Sequence, residues 1–203
     1  MLNFWDKRYA EKEYAYGKLP NTFFQSHLEL GNGRKILLPA EGEGRNAVFA
    51  AQRGWDVYAF DSSEAAKRKA YALALENEVS FHYEWDELED VSFPLSHFDA
   101  LGCFFAHFSS NKQLDYYNRL EAMLKTGGLV YLEGFAVDHA IHQASNPTAG
   151  GPKEADMRFN TAMMTAFFPN CEILLCEQTE TVLSEGLYHQ GPATVVRFIG
   201  KKI

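Results

Sequence analysis

Cysteine is scarce in this chain of 203 residues: Cys103, Cys171 and Cys176 are the three, and no C-x-x-C spacing joins them. Neither a disulfide framework nor a zinc site is expected, and no metal ligand set is assigned. Clustered basic residues are short pieces such as Lys67-Arg68-Lys69, which reads as a solvated helix face, and the formal net charge is -8. Phosphate backbones call for grouped Lys and Arg, so nucleic acid is not the expected partner. Long apolar runs are missing too. Ala100 to Ala106 is the longest and falls far short of a bilayer span, and no signal-like start precedes Phe4-Trp5-Asp6. A reducing cytoplasm with no membrane partner is the expected setting. The 46% hydrophobic content suffices for one sizeable core, and one domain over 1-203 is expected, with 1-33 as an N-terminal helical cap or lid.

What is present begins with Ile36-Leu37-Leu38-Pro39-Ala40-Glu41-Gly42-Glu43-Gly44-Arg45-Asn46-Ala47, an apolar run ending in a glycine turn that opens into a helix. This arrangement puts free backbone N–H groups and a helix N-terminus beside a ligand, as nucleotide-cofactor loops do. Asp61 ends the next apolar run, Asp56 to Phe60, where a carboxylate can accept two hydrogen bonds from a ribose diol. Gly42, Gly44 and Ala47 satisfy G-x-G-x-x-A, so a nicotinamide cofactor is formally allowed. A pyrophosphate would be repelled by Glu41 and Glu43, whereas a cation would be attracted. S-adenosylmethionine carries a sulfonium and an ammonium, and its carboxylate can be taken by N–H groups at the start of the following helix. It is the expected cofactor. Simpler readings stand beside these. Asp61 could cap the next helix in a box with Glu64, and Glu41 and Glu43 could be solvated turn residues.

Strands and helices alternate along the chain. Strands are expected at 35-38, 56-60, 79-83, 98-104 and 129-135, the fourth buried on both faces as in a parallel sheet. Helices fall at Asn21 to Leu28, Gly44 to Arg53, Ser63 to Glu76 and Leu114 to Leu124, the last ended by Gly127-Gly128. Ala136 to Asp156 has no clear period and reads as a long functional loop. A helix over 157-168 and a hairpin of strands at 172-183 and 188-200 follow. The expected fold class is α/β, a Rossmann-like, mostly parallel sheet closed by an antiparallel hairpin, with helices on both faces.

Phe4, Trp5, Tyr9, Tyr14, Tyr16, Phe23 and Phe24 crowd the first 24 residues. They could pack a helix onto the sheet or cover a site, where aromatic faces near a sulfonium gain on the order of 1 kcal/mol. His107 follows strand four and Tyr188-His189 open the last strand, where ligands of open sheets gather. His139 and His142 lack a third metal ligand.

The chain resembles the class I S-adenosylmethionine-dependent methyltransferases, in the style of the small bacterial tellurite-resistance and thiopurine methyltransferases. The resemblance rests on Phe4-Trp5-Asp6-Lys7-Arg8-Tyr9, Tyr14-Ala15-Tyr16-Gly17, Pro20-Asn21, Gly42-Glu43-Gly44-Arg45-Asn46-Ala47, Asp61-Ser62-Ser63, Phe98-Asp99-Ala100, Leu124 to Leu129 and Tyr188 to Pro192. It implies a seven-stranded sheet with one reversed strand. By position it implies Ala40, Glu41, Gly42 and Gly44 at the methionine part of the cofactor, Asp61 with Ser62 beside it at the ribose, Asp86 and Glu87 at the adenine, and Phe104 to His107 at the far wall. The chain departs from the family where members commonly carry an acidic residue and a glycine and this one has Leu38 and Ala40. Glu41 stands where it could replace the ammonium partner.

The expected partner is a small-molecule methyl acceptor. No carboxylate pair, Cys-His or Lys constellation suggests a general base, so a soft acceptor such as a thiol, selenol or reduced metalloid product is expected, oriented by His107, Tyr188 and His189. A nicotinamide-dependent reductase and a non-catalytic module of the same fold are the alternatives. Nothing in the sequence sets an oligomeric state.

Overall fold

The computed structural model describes residues 4-203. Met1 to Asn3, the first three residues of the expected cap, lie outside the described residues. Seven strands form one sheet: β1 Lys35–Pro39, β2 Asp56–Asp61, β3 His82–Trp85, β4 Phe98–Phe104, β5 Leu124–Phe135, β6 Cys171–Glu185 and β7 His189–Lys202. Their order is β3-β2-β1-β4-β5-β7-β6. β1 with β2, β2 with β3 and β4 with β5 pair in parallel, and β5 with β7 pairs antiparallel. This is the expected α/β architecture. The helices are α1 Phe4–Tyr9, α2 Thr22–His27, α3 Arg45–Gln52, α4 Glu64–Glu76, α5 Ser110–Met123, α6 Ala140–Ser145 and α7 Thr161–Phe167.

Contacts divide the chain into two compact units, Met1–Ser92 with Glu185–Leu187, and Phe93–Ser184 with Tyr188–Ile203. The first holds β1 to β3 around Phe24, Ile36, Leu37, Leu38 and Leu73, all essentially free of solvent exposure. From Ile36 onward β1 is apolar because both its faces are covered. α3 starts at Gly44, whose φ of 87° suits glycine. A Cβ there would also stand 2.7 Å from the Ala70 methyl of α4, so the glycine is what lets two helices approach. Ser63 caps α4 by accepting the Ala66 N–H at 3.2 Å. The Asp61-Glu64 capping box is therefore not formed, and Glu64 instead pairs with Arg68 one turn on.

β3 begins three residues later than expected. Glu78, with φ 56°, closes α4, and Val79 and Phe81 turn into a cluster with Val48, Leu73 and Ala74 before pairing starts at His82. Tertiary packing claims the apolar residues that otherwise read as strand.

In the second unit, Phe98, Leu101, Tyr117, Phe135, Phe159, Phe168 and Phe198 fill the core. α5 ends at Met123, not at the glycines. β5 begins at Leu124, and its register against β4 jumps from Phe98/Leu124 to Ala100/Leu129. Gly127, with φ 83°, lies within that jump, so the pair Gly127-Gly128 forms an irregularity in the strand instead of a helix stop. The helix expected over 157-168 is the shorter α7, capped by Asn160. Just before it, Phe159 exchanges backbone hydrogen bonds with Phe135 and Val137, both at 2.9 Å.

The segment after β5 is not the structureless loop that its composition suggests. It holds α6 and short 3-10 turns at Val137–His139 and Ala155–Met157. Side chains supply what periodicity lacks. Buried Arg158 donates to the carbonyls of Pro152 (3.1 Å), Val137 (3.2 Å) and Lys153 (3.0 Å), and Gln143 donates to that of Gly150 at 2.6 Å.

Candidate functional site

In the first unit the carboxyl ends of β1, β2 and β3 bring together most of the expected cofactor residues. Ala40 leaves β1 in the left-handed region, φ 50°, a conformation costly for a residue with a Cβ. Gly42 follows at φ 62°, and a Cβ on it would meet the Tyr9 hydroxyl at 2.8 Å. Tyr9 itself is buried, with Trp5 stacked on it at a centroid distance of 5.7 Å. Tyr9 thus packs directly on the glycine loop, with Trp5 behind it. Tyr83 of β3 reaches across to donate to the Gly42 carbonyl at 2.5 Å.

Asp61 ends β2 with its carboxylate turned onto the same loop. Oδ2 accepts the Gly42 N–H and Oδ1 the Ser63 N–H, each at 3.0 Å. Burial raises its pKa to about 7, against the opposing pull of these two amides. β3 is laced to this end of β2: the Trp85 indole donates to the Ser62 carbonyl at 3.0 Å and the Asp86 N–H to the Asp61 carbonyl at 3.2 Å. Asp86 and Glu87 are exposed at that rim.

Glu41 behaves differently from expectation. It is buried, and its Oε1 accepts the N–H groups of Asn46 (2.8 Å) and Ala47 (2.7 Å) at the start of α3. The helix N-terminus assigned to a cofactor carboxylate is filled by the chain's own carboxylate. Burial raises the Glu41 pKa to about 7, partly offset by the Ala47 amide. Nor are Glu41 and Glu43 solvated turn residues. Glu43 accepts from the Ala15 N–H at 2.8 Å and the Lys69 ammonium at 2.7 Å. Arg45 meets Glu185 at 2.9 Å, both side chains about nine-tenths buried, and reaches the Leu19 carbonyl at 3.4 Å. Asn46 Oδ1 accepts the Asn21 N–H at 2.9 Å. Four residues of the loop and helix start therefore bind the N-terminal segment or the loop itself, a role no spacing rule announces.

The remaining expected residues lie mainly in the second unit. Phe104 is buried at the end of β4, and Phe105 after it takes φ 54°. His107 has both ring nitrogens engaged: Nδ1 pairs with the Met157 carbonyl at 2.9 Å and Nε2 accepts the Phe135 N–H at 3.0 Å. Its ring stacks on Phe159 at 4.5 Å. Burial lowers its pKa to about 4. His139 is alike, bonded to the Thr194 N–H and the Gly150 carbonyl, with a pKa lowered to about 4 by burial. His189, buried, sets its ring edge-on to Phe105 (4.5 Å) and Phe135 (5.1 Å), and Tyr188 is half-buried in the preceding turn. Among the described residues no group of three or more His, Cys, Asp or Glu side chains could hold a metal, and no helix is long and apolar enough to cross a membrane.

The residues present suit a nucleoside. Asp61, buried and held by the Gly42 and Ser63 amides rather than by an ion pair, stands at the strand end where open sheets of this kind meet a ribose diol.

Residues 36–128 match the family model described as a methyltransferase domain. No curated protein matches the chain in sequence. Among solved structures, one described as the conversion of a disulfide bond into a thioacetal group during echinomycin biosynthesis is similar, with TM-score 0.75 and 14% identity over 97% of this chain and 90% of that one. A SAM-dependent methyltransferase from Methanosarcina mazei gives 0.70 and 15% over 91% and 99%. TehB from Haemophilus influenzae gives 0.66 and 12% over 84% and 58%. The likeness to these structures shows the fold, the Rossmann-like one of the methyltransferases, and the matched segment is similar to a methyltransferase domain.

Proposed function

We propose that the chain moves a methyl group from S-adenosylmethionine to a small, soft acceptor of the thiol, selenol or reduced metalloid class. The observation that carries the reading is the glycine loop between β1 and α3 with Asp61 at the end of β2 bonded to Gly42. Asp61 holds the ribose with Ser62 beside it, Asp86 and Glu87 lie at the adenine side and Ala40 to Gly44 at the methionine side. When bound, the cofactor supplies an electrophilic methyl on a sulfonium. The chain's own part is alignment and exclusion of water. Tyr9, with Trp5 stacked on it, lies against the glycine loop and brings aromatic ring faces to this end of the sheet.

The softness of the acceptor rests on how the histidines are spent. His107 and His139 have both ring nitrogens engaged, and burial keeps them neutral. Burial also raises the Cys103 thiol well above its usual value, which makes it a poor nucleophile. An acceptor that is already anionic or lone-pair rich near neutral pH needs no proton removed. Tyr188 and His189 then orient it. The relative named for disulfide-to-thioacetal conversion in echinomycin biosynthesis also concerns sulfur, which supports the same acceptor class.

A product assay over thiol, phenol, amine and selenite acceptors tests this. Turnover of the thiol or selenium members with a pH profile set by the acceptor's own ionisation is expected. Turnover confined to amines or alcohols overturns the reading.

A further inference from the structure

Strand β6 ends the sheet and is its longest strand at 15 residues, whereas the opposite edge, β3, has 4. A sheet edge offers a row of unpaired N–H and C=O groups, which proteins blunt with lysine, proline, a bulge or a covering element. From Glu172 to Ser184 there is no Lys, Pro or Gly. Among the described residues, nothing outside the β6 and β7 pair hydrogen-bonds to the backbone of this stretch. What touches it are side-chain contacts: Cys176 Sγ with the Thr161 carbonyl at 3.6 Å and Gln178 with Asp138 at 2.9 Å. Ile173 (46%), Leu174 (52%) and Val182 (76%) are exposed along it.

We propose that β6 pairs antiparallel with β6 of a second copy of this chain, about a two-fold axis that passes through Gln178. An isologous edge pair of this kind needs its axis normal to the sheet, which keeps each face on its own side. Facing residues must therefore share a face, and with a side-chain period of two the axis has to fall on a residue and not between two.

The glutamates then choose among the central registers. An axis on Cys176 sets Glu172 against Glu180, one on Glu177 sets Glu177 against itself, and one on Glu180 does the same for Glu180. Like charges directly opposite are destabilising. An axis on Thr179 avoids this but leaves Leu174 facing Ser184 and Ile173 facing Glu185, and the latter is already committed to Arg45. On Gln178, Leu174 faces the partner's Val182 and Ile173 the partner's Leu183. Glu172, Glu177 and Glu180 face Ser184, Thr179 and Cys176. Every carboxylate meets a neutral residue, and both exposed apolar ends are covered twice by symmetry. The pairing runs for roughly 40 Å at about 3.4 Å per residue. One repulsive feature remains. The two copies of Glu177 lie diagonal to one another near the axis, so added salt and Glu177→Gln both tighten the pair.

Sedimentation velocity on the full chain at micromolar concentration tests the proposal. Expected is a dimer of two 23.0 kDa chains. Val182→Lys should keep the circular-dichroism melt and weaken the dimer on the order of tenfold or more, since the substitution enters the interface twice. In a Cys176→Ser background, Gln178→Cys should crosslink the two copies under mild oxidation while Thr181→Cys does not. A monomeric parent overturns the proposal. So does a dimer in which Gln178→Cys fails to crosslink, and crosslinking decides where it and the Val182→Lys result disagree.

Discussion

Asp61 accepts the Gly42 N–H at 3.0 Å, so the carboxylate proposed above to hold the ribose also holds the glycine loop in place. Substitution there acts twice, and the two effects separate in different measurements. Asp61→Asn is expected to weaken S-adenosylhomocysteine binding in a calorimetric titration by about 1.5 to 3 kcal/mol, the worth of hydrogen bonds to a charged group. The parent should be stabilised by the same ligand in a thermal shift, and NAD(P)H should give none. Equal affinity in Asp61→Asn would reduce Asp61 to a loop tie.

Glu41 and Asp61 both have folded pKa values near 7, raised by burial above their unfolded ones. For a raised pKa the sign is fixed: the contribution to stability is complete below the unfolded pKa and is lost as pH rises through the folded one. Without ligand, these two groups should lower the melting temperature between about pH 4.5 and 7.5. Glu41→Gln keeps an acceptor for the Asn46 and Ala47 amides and removes the charge. Its melting temperature should exceed the parent's at pH 8 and approach it at pH 5. An identical pH dependence in the two proteins would contradict the buried carboxyl.

His107 and His139 act with the opposite sign. Their pKa values are lowered to about 4, so the stability they contribute is present above the unfolded value near 6.5 and is lost as pH falls towards 4. His107→Ala also leaves the Phe135 N–H and the Met157 carbonyl without their partner, at a cost of about 1 to 3 kcal/mol each if they stay dry. Urea titration should show that loss together with a flatter acid limb. A selective drop in kcat at unchanged stability would instead make His107 part of the chemistry.

Ala40 occupies a left-handed conformation that glycine adopts freely. Ala40→Gly is expected to raise stability by up to about 1 kcal/mol, the relieved strain being partly offset by the more flexible unfolded chain. Chemical denaturation measures it. A destabilised variant would mean that the methyl group packs well enough to outweigh its backbone.

Hydrogen exchange should find the bonded amides of Asn146, Ala149, Met157 and Arg158 protected, because Arg158 and Gln143 pin the segment's carbonyls and so keep these local hydrogen bonds closed. Arg158→Ala should open them while leaving β1 to β3 unchanged. Rapid exchange of those amides in the parent would contradict this.

The glycine turn, the run ending at Asp61 and the buried β4 were legible in the sequence because each is local: period, small residues and a strand-end carboxylate lie within a dozen positions. The register irregularity at Gly127-Gly128 was not, since a glycine pair reads equally as helix stop or bulge until its partner strand is known. Glu41 was legible as a residue and not as a role. Its charge pointed to a cation, but the chain's nearest donors, the Asn46 and Ala47 amides, lie within six positions and take the carboxylate first. The ordering of 136-156 depends on Arg158 reaching back to carbonyls whose sequence carries no period.

The pair of Arg45 and Glu185 joins residues 140 positions apart. On a ribosome the guanidinium emerges long before its carboxylate exists, and the segment around Ala15 that meets Leu187 through a 2.8 Å backbone hydrogen bond waits equally long. Loop closure over that distance comes late, after the local contacts that make it worthwhile. A nascent chain stalled before Glu185 would thus carry an uncompensated Arg45 beside a glycine loop whose cover is held by nearer contacts, among them those to Ala15 and Asn21.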